Sequence, residues 1–140
     1  MYLAKIKYEK TTEDGSLKKV TESYLLDTLS FTETEARITD EMKPFISGEF
    51  EVMAIQKKRY AEIVENVRSG FEKWFECKLN FITLNEMGNE KKTTVIILIQ
   101  SDTTSNANAD LITHMKSSMA DYTIEAVKET KIIEYFKYEA

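Results

Sequence analysis

The feature that most constrains the fold of this chain is an internal repeat, in which the first half matches the second at an offset of about 73 residues. The matched positions that carry the same residue are Lys5 and Lys78, Glu13 and Glu86, Gly15 and Gly88, Lys18 and Lys91, Lys19 and Lys92, Thr21 and Thr94, Leu25 and Leu98, Ala36 and Ala109, Met42 and Met115, and Lys43 and Lys116. After a one-residue slip near Pro44, residues 49–55 match residues 121–127. A repeat of this kind predicts two units of one fold, packed about a pseudo-twofold axis.

The hydrophobic pattern predicts the same strands in each copy. Apolar and polar residues alternate in residues 2–8 and 75–81, which is typical of a strand with one buried face. Gly15 and Gly88 then mark hairpin turns, because glycine adopts the positive φ that tight turns require. The further predicted strands are residues 21–26, 50–55, 94–99 and 122–127, of which 94–99 is continuously apolar and expected to be central. Residues 60–64 and 132–136 fit either a strand or a short helix, and the pattern favours a strand.

Each copy also predicts one helix after its second strand. Thr32 and Glu35 have the spacing of a capping box at the start of the first helix, and Ser105 is the corresponding predicted cap of the second. The side chains expected to face inward are Ile38, Met42, Phe45 and Ile46 in the first copy, and Leu111, Ile112 and Met115 in the second.

These elements predict an α+β fold made by tandem duplication of a β-hairpin, helix and strand unit (ββαβ), with antiparallel sheets and two helices. We expect a single domain over residues 1–140, with repeat one at about 1–64, repeat two at about 74–136, and residues 65–73, including Ser69, as the joint between them. A chain of 140 residues with 42% hydrophobic residues is long enough to bury a substantial core.

Composition argues against several classes of function. A net charge of −5 opposes non-specific binding to nucleic acid, which clustered Lys and Arg drive. The single cysteine, Cys77, excludes an intrachain disulfide and a zinc site built from several cysteines, and it favours a reducing, cytoplasmic compartment. No basic and apolar leader pattern begins the sequence, and the longest apolar run, residues 95–99, is too short to span a membrane. We therefore expect a cytoplasmic protein.

No sequence motif indicates catalysis. The chain has no Gly-rich phosphate loop, nucleophile elbow or metal-ligand cluster, and only one histidine, His114, which is expected at a solvated helix position. Glu33 and Glu35 lie at a predicted helix start, where the helix dipole already favours negative charge. Cys77 is expected to be a buried structural thiol. We therefore expect no enzyme activity, no cofactor and no metal.

The candidate ligand-binding residues are basic and aromatic. If Phe75, Cys77 and Leu79 face inward, then Trp74 and Lys78 lie on the other face of the strand, where an exposed ring beside a lysine can bind a base or a ligand ring. Lys5 and Lys7 lie on the matching face of the first copy, so Lys5 and Lys78 could flank a central groove for a small anion. The hairpin lysines Lys18, Lys19, Lys91 and Lys92 complete the set. The alternative is that Trp74 is covered and that the lysines are solvated.

Several stretches of this sequence resemble a known family. They are residues 5–10, 29–36, 46–50, 78–84 and 119–122, which read KIKYEK, LSFTETEA, ISGEF, KLNFITL and MADY. The chain resembles a family of short uncharacterised proteins from Bacteroides, its relatives, and their phages and mobile elements, described as a domain of unknown function. The resemblance implies a cytoplasmic bacterial or phage protein. It provides no catalytic residues to carry over.

Three functional hypotheses follow. The first is a non-catalytic binding protein that acts through a protein or a small-anion or nucleotide interface, with a counter-defence role if it is carried by a phage. The second is a single-stranded nucleic-acid-binding accessory protein that uses Trp74 and the lysines. The third and least favoured is a metal-dependent hydrolase using scattered carboxylates. The sequence allows either a monomer or a homodimer, and it predicts no membrane partner.

Overall fold

Over the residues that the structure describes, the fold is α+β, with two helices and two four-stranded sheets, as the sequence predicts. The computed structural model describes residues 1–68 and 70–139. In chain order the elements are β1 (Tyr2–Thr11), β2 (Leu17–Leu26), α1 (Phe31–Met42), β3 (Phe50–Lys57), β4 (Glu62–Val64), β5 (Lys73–Leu84), β6 (Glu90–Ser101), α2 (Thr104–Met115), β7 (Asp121–Glu129) and β8 (Ile132–Phe136).

The chain forms two compact units, each with one sheet and one helix. Unit 1 consists of Met1–Lys58 and residues 132–139, and its sheet 1 has the strand order β3-β1-β2-β8. Unit 2 is Arg59–Lys131, and its sheet 2 has the order β4-β6-β5-β7. Matching elements occupy matching places in the two sheets, which confirms the duplicated unit. Gly15 and Gly88 have φ of 85° and 81° at the two hairpin turns, as their predicted role requires.

The fourth strands are exchanged between the two repeats. β4 is the last strand of repeat one but pairs in parallel with β6 of unit 2, whereas β8 is the last strand of repeat two but pairs in parallel with β2 of unit 1. Both sheets are therefore mixed, since the predicted antiparallel pairing joins three strands of each sheet and a parallel fourth strand adds to one edge. The boundary between the units falls after Lys58, because β4 already belongs to unit 2. Ser69 lies outside the described residues.

The core of each unit lies between its helix and one face of its sheet. In unit 1, Ile38 and Met42 of α1 pack in a cluster with residues of β1 and β2, and in unit 2 Leu111 and Met115 of α2 do the same over β5 and β6. The central placement of β6 is confirmed, since it has β4 on one side and β5 on the other.

Two of the predicted inward residues face solvent instead. Phe45 is 76% exposed because α1 ends at Met42, so Phe45 lies in the following turn. Ile112 is 43% exposed because it lies one residue, about 100° of helix rotation, away from the buried stripe that contains Leu111.

The helix caps lie two residues before the predicted ones in both copies. Ser30 caps α1, since its Oγ accepts a hydrogen bond from the Glu33 backbone N–H at 3.1 Å, and the Leu29 N–H donates to the Glu33 carboxylate at 2.9 Å. Thr103 caps α2 by accepting from the Asn106 N–H at 3.1 Å. The predictions of Thr32 and Ser105 are therefore wrong, because Ser30 and Glu33 offer a second motif of the same spacing that begins the helix one half-turn earlier.

Removal of either cap is expected to destabilise its unit by about 1 kcal/mol, because each side chain is the acceptor for an otherwise unpaired helix N–H. Ser30→Ala and Thr103→Ala should each lower the free energy of unfolding in urea by this amount. Thr32→Ala and Ser105→Ala are matched controls inside the helices, with an expected change close to zero. An equal loss from the control substitutions would contradict the cap assignment.

Candidate functional site

A surface hollow with a volume of about 690 Å³ opens in unit 1 where β1, β2 and the start of β3 meet. The residues that line it are Lys7, Tyr8, Glu9, Lys19, Gly48, Glu49, Phe50 and Glu51. The strand register assembles this set: Lys7 of β1 is opposite Glu51 of β3, and Glu9 of β1 is opposite Lys19 of β2. Gly48 and Glu49, which precede β3, complete the wall.

The charged side chains of the hollow share the face of sheet 1 that lies away from α1. Side chains alternate along a strand, and Ala4 and Ile6 point into the core, so Lys7 and Glu9 point to the opposite face. Glu9, Lys19, Glu49 and Glu51 are exposed, and Lys7 is half-buried. Three carboxylates and two ammonium groups therefore line a solvent-accessible, mixed-charge surface.

The corresponding surface of unit 2 lacks most of these charges. Across sheet 1 one row runs from Thr21 through Lys7 to Glu51, and the matching row of sheet 2 runs Thr94, Asn80, Thr123. In that row the Thr94 hydroxyl donates to the Asn80 side-chain oxygen at 2.7 Å. Glu9 is likewise matched by Ile82. The same fold thus forms without the charged row, so its packing does not require these charges.

The structure brings two of the eight candidate ligand residues, Lys7 and Lys19, into one hollow. Lys5 and Lys18 also lie in unit 1 and are exposed, but they do not line it. Lys78 lies in unit 2, where its Nζ is 3.2 Å from a Glu125 carboxylate oxygen. Lys91 and Lys92 are exposed near the start of β6. The groove predicted between Lys5 and Lys78 stays a prediction.

Trp74 is buried, with 3% of its surface exposed, so the expectation of an outward, accessible ring is wrong. It does lie on the opposite face of β5 from Phe75, as the alternation predicts, but that face is covered here, since Leu98 beside it is also fully buried. Thr130 holds the strand at this point by donating its N–H and hydroxyl to the Trp74 carbonyl, each at 2.8 Å. The indole is therefore not accessible for stacking on a base.

A second polar feature of unit 1, which sequence reasoning missed, lies on the core face of sheet 1. The Tyr24 hydroxyl donates to the Glu22 carboxylate at 3.0 Å, and burial together with the hydrogen bond to Glu22 raises the pKa of Tyr8 to about 12. Burial also raises the pKa of Tyr24. The counterparts of Tyr8, Glu22 and Tyr24 in repeat two are Phe81, Val95 and Ile97, so a comparison of the repeats could have found this cluster.

His114, Arg68 and Asp110 do not line the hollow. His114 of α2 is hydrogen-bonded to Glu62 of β4, in unit 2, rather than simply solvated. Asp110 of α2 accepts two hydrogen bonds from Arg68, at 3.1 and 3.2 Å. Among residues 1–68 and 70–139, no group of three or more His, Cys, Asp or Glu side chains is placed to hold a metal ion.

Cys77 is a buried thiol in the core of unit 2, as predicted. Desolvation raises its pKa to about 11, so the reactive thiolate is scarce at neutral pH. We expect the folded protein at pH 8 to react with a thiol reagent such as 5,5′-dithiobis(2-nitrobenzoate) only at the rate at which unit 2 opens, and the unfolded protein in urea to react within minutes. Rapid reaction without denaturant would show that this core is not closed.

Comparison with known proteins supports one part of the resemblance seen in the sequence, namely a family of unknown function. The model of one family, described as Domain of unknown function (DUF4494), matches residues 1–138. The chain belongs to this family. No curated protein and no solved structure matches the DUF4494 chain. Within the described part of the DUF4494 chain, no helix is long and apolar enough to cross a membrane.

Proposed function

We propose that this protein is a non-catalytic binding protein that holds a protein partner or a small ligand at the hollow of unit 1. The observation that supports the proposal is the difference between the two copies of the fold. Lys7, Glu9 and Glu51 of unit 1 are replaced by Asn80, Ile82 and Thr123 in unit 2, although both units pack in the same way. Charges that packing does not require are expected to serve recognition.

The lining favours a ligand with groups of both signs. Lys7 and Lys19 can contact an anionic group, such as a phosphate, whereas the three glutamates would repel a ligand that carries only negative charge. A polypeptide segment satisfies both requirements more readily than a nucleotide. Single-stranded nucleic acid receives less support, since Trp74 is buried and the net charge is −5. A cytoplasmic location, a bacterial or phage origin and a role against host defence remain parts of this proposal.

A screen of thermal stability tests the proposal. The purified protein is heated with nucleotides, cyclic oligonucleotides, short single-stranded DNA and RNA, peptides and divalent metal ions, and light scattering measures its mass alongside. We expect one class to raise Tm by several degrees, because a ligand that binds only the folded state stabilises it. In ¹⁵N-labelled protein the ligand should shift the amide resonances of the residues that line the hollow.

Three results would count against the proposal. Conversion of the stabilising compound into a product, followed by chromatography, would indicate an enzyme. Amide shifts confined to unit 2, for instance around Lys91 and Lys92, would place the ligand away from the hollow. Stabilisation by oligonucleotides that disappears at high salt would favour the nucleic-acid alternative.

A further inference from the structure

The hollow of unit 1 lies at an open edge of sheet 1. Among the described residues β3 is the outermost strand on this side and pairs only with β1. It is eight residues long and contains neither proline nor glycine, so each residue carries a backbone N–H and C=O, and an edge strand leaves one row of these groups unpaired. By comparison, the opposite edge of the same sheet is β8, with five residues. β3 is therefore the longer edge for pairing with another strand.

Charges alternate across the sheet toward this edge. The row that begins at Thr21 continues with the ammonium of Lys7 on β1 and ends with the carboxylate of Glu51 on β3. Opposite charges at directly paired positions stabilise neighbouring strands. A further strand would lie about 4.8 Å beyond β3, and a cationic side chain at its paired position would continue the alternation.

The surroundings of Glu51 strengthen the preference for a cation. Glu49 lies two residues earlier in the chain and lines the same hollow, as does Glu9. The lysines of the hollow are on β1 and β2, one and two strands further in, so the groups nearest to an added strand are carboxylates. Gly48 has no side chain, and no atom beyond its two chain neighbours lies within 4 Å of the place that a Cβ would occupy, which leaves space at this end of the strand.

We infer that β3 accepts an extended segment of a partner protein as a fifth strand, with a lysine or arginine opposite Glu51 and its long side chain in the hollow. Main-chain hydrogen bonds to the free edge supply affinity, and the basic side chain sets the register and selects the partner. This inference rests on the proposed function and specifies its partner. The equivalent edge strand β7 of unit 2 carries Thr123 at the position of Glu51, so it lacks this charge.

A peptide array tests the inference. It consists of seven-residue peptides with valine or threonine at alternate positions and Lys, Arg, Glu or Ser at the others. We expect the full-length protein to retain the Lys and Arg peptides and not the Glu peptides. In solution, a retained peptide should slow amide hydrogen exchange in Phe50–Lys57 and leave Asp121–Glu129 of β7 unchanged.

Charge reversal provides the matched control. Glu49→Lys together with Glu51→Lys should weaken binding of the Lys peptide about tenfold, since two attractive neighbours become repulsive. Asp121→Lys together with Thr123→Lys places lysines at the matching two positions of unit 2 and should leave binding unaltered. All four positions are exposed, so the variants should keep the Tm of the parent protein.

Two outcomes would overturn the inference. Peptides that shift the resonances of the hollow without protecting the β3 amides would show that it binds ligands but adds no strand; the proposed function would then stand. Retention of Glu and Ser peptides equal to that of Lys and Arg peptides would show that the charges do not select a basic segment.

Discussion

A chain that ends at Lys131 is expected to lose the fold of unit 1, although unit 1 contains the N-terminal repeat, and to keep the fold of unit 2. The truncation removes β8, which is an edge strand of sheet 1. Ile132 is buried, the ring of Phe136 stacks on Tyr24 with centroids 5.8 Å apart, and the Asp27 N–H donates to the Phe136 carbonyl at 2.9 Å. Loss of one buried large aliphatic side chain alone costs about 2–5 kcal/mol, a large part of the 5–15 kcal/mol of a typical domain.

Amide hydrogen exchange followed by mass spectrometry measures the effect in each unit separately. We expect peptides from β1 and β2 to exchange fast in the truncated chain, and peptides from β5 and β6 to stay protected. A chain that ends at Phe136 is the control and should retain both units, because it removes only residues beyond β8. If each repeat instead kept its own fourth strand, the truncation would make the amides of sheet 2 exchange fast. That pattern would contradict the pairing of β4 with sheet 2 and of β8 with sheet 1.

The second large effect is expected at the cluster of Tyr8, Glu22 and Tyr24. Glu22→Val alone should destabilise unit 1 by about 1–3 kcal/mol, because the buried Tyr24 hydroxyl loses its hydrogen-bond acceptor. Substitution of all three by the residues of repeat two, Tyr8→Phe, Glu22→Val and Tyr24→Ile, should recover most of that loss, since no polar group is then left unpaired. Urea unfolding of the two variants measures the difference, and additive losses in the triple variant would show that the three residues do not act together.

The same cluster predicts a dependence of stability on alkaline pH. An unperturbed tyrosine has a pKa near 10, and the pKa of Tyr8 is about 12 in the folded state. A raised pKa means that the Tyr8 hydroxyl holds its proton more tightly in the folded state than in the unfolded state. The contribution of Tyr8 to stability is therefore complete below pH 10 and is lost as the pH rises toward 12. The free energy of unfolding should therefore fall across this window, and it should fall less in the triple variant. If the free energy of unfolding fell with pH at the same slope in the parent protein and in the triple variant, this pH dependence would not come from the tyrosine cluster.

Local pattern predicted the elements of this fold because those elements depend on neighbours in sequence. Alternation located β1 and β5, and the repeat located the two helices. The caps were misplaced because two Ser/Thr and Glu pairs of the same spacing overlap at residues 30–35, and local sequence does not choose between them. The partners of β4 and β8 could not be predicted at all, since the choice is made by long-range pairing.

The candidate site was predicted only in part for a related reason. Lys7 and Lys19 were recognised as basic positions, but the carboxylates of Glu9, Glu49 and Glu51 join them only through the strand register. Alternation gives the face of a strand and not what covers that face, so it leaves open whether Trp74 is accessible, and the structure shows that Trp74 is buried. The repeat itself held the missing signal, since positions where one copy is charged and the other is neutral or apolar indicate a role beyond packing.

The central claim is that the hollow of unit 1 is the binding site. The most direct test is to replace the charged residues of its row by the neutral residues at the matching positions of unit 2. Lys7→Asn with Glu51→Thr gives sheet 1 the neutral row that sheet 2 already accommodates, so Tm should be unchanged. Titration with the strongest ligand from the thermal screen should then show binding to the parent protein and to a control carrying Asn80→Ala and Thr123→Ala, and at least about a tenfold loss in the row variant. Undiminished binding by the row variant would contradict the claim that the hollow of unit 1 is the binding site.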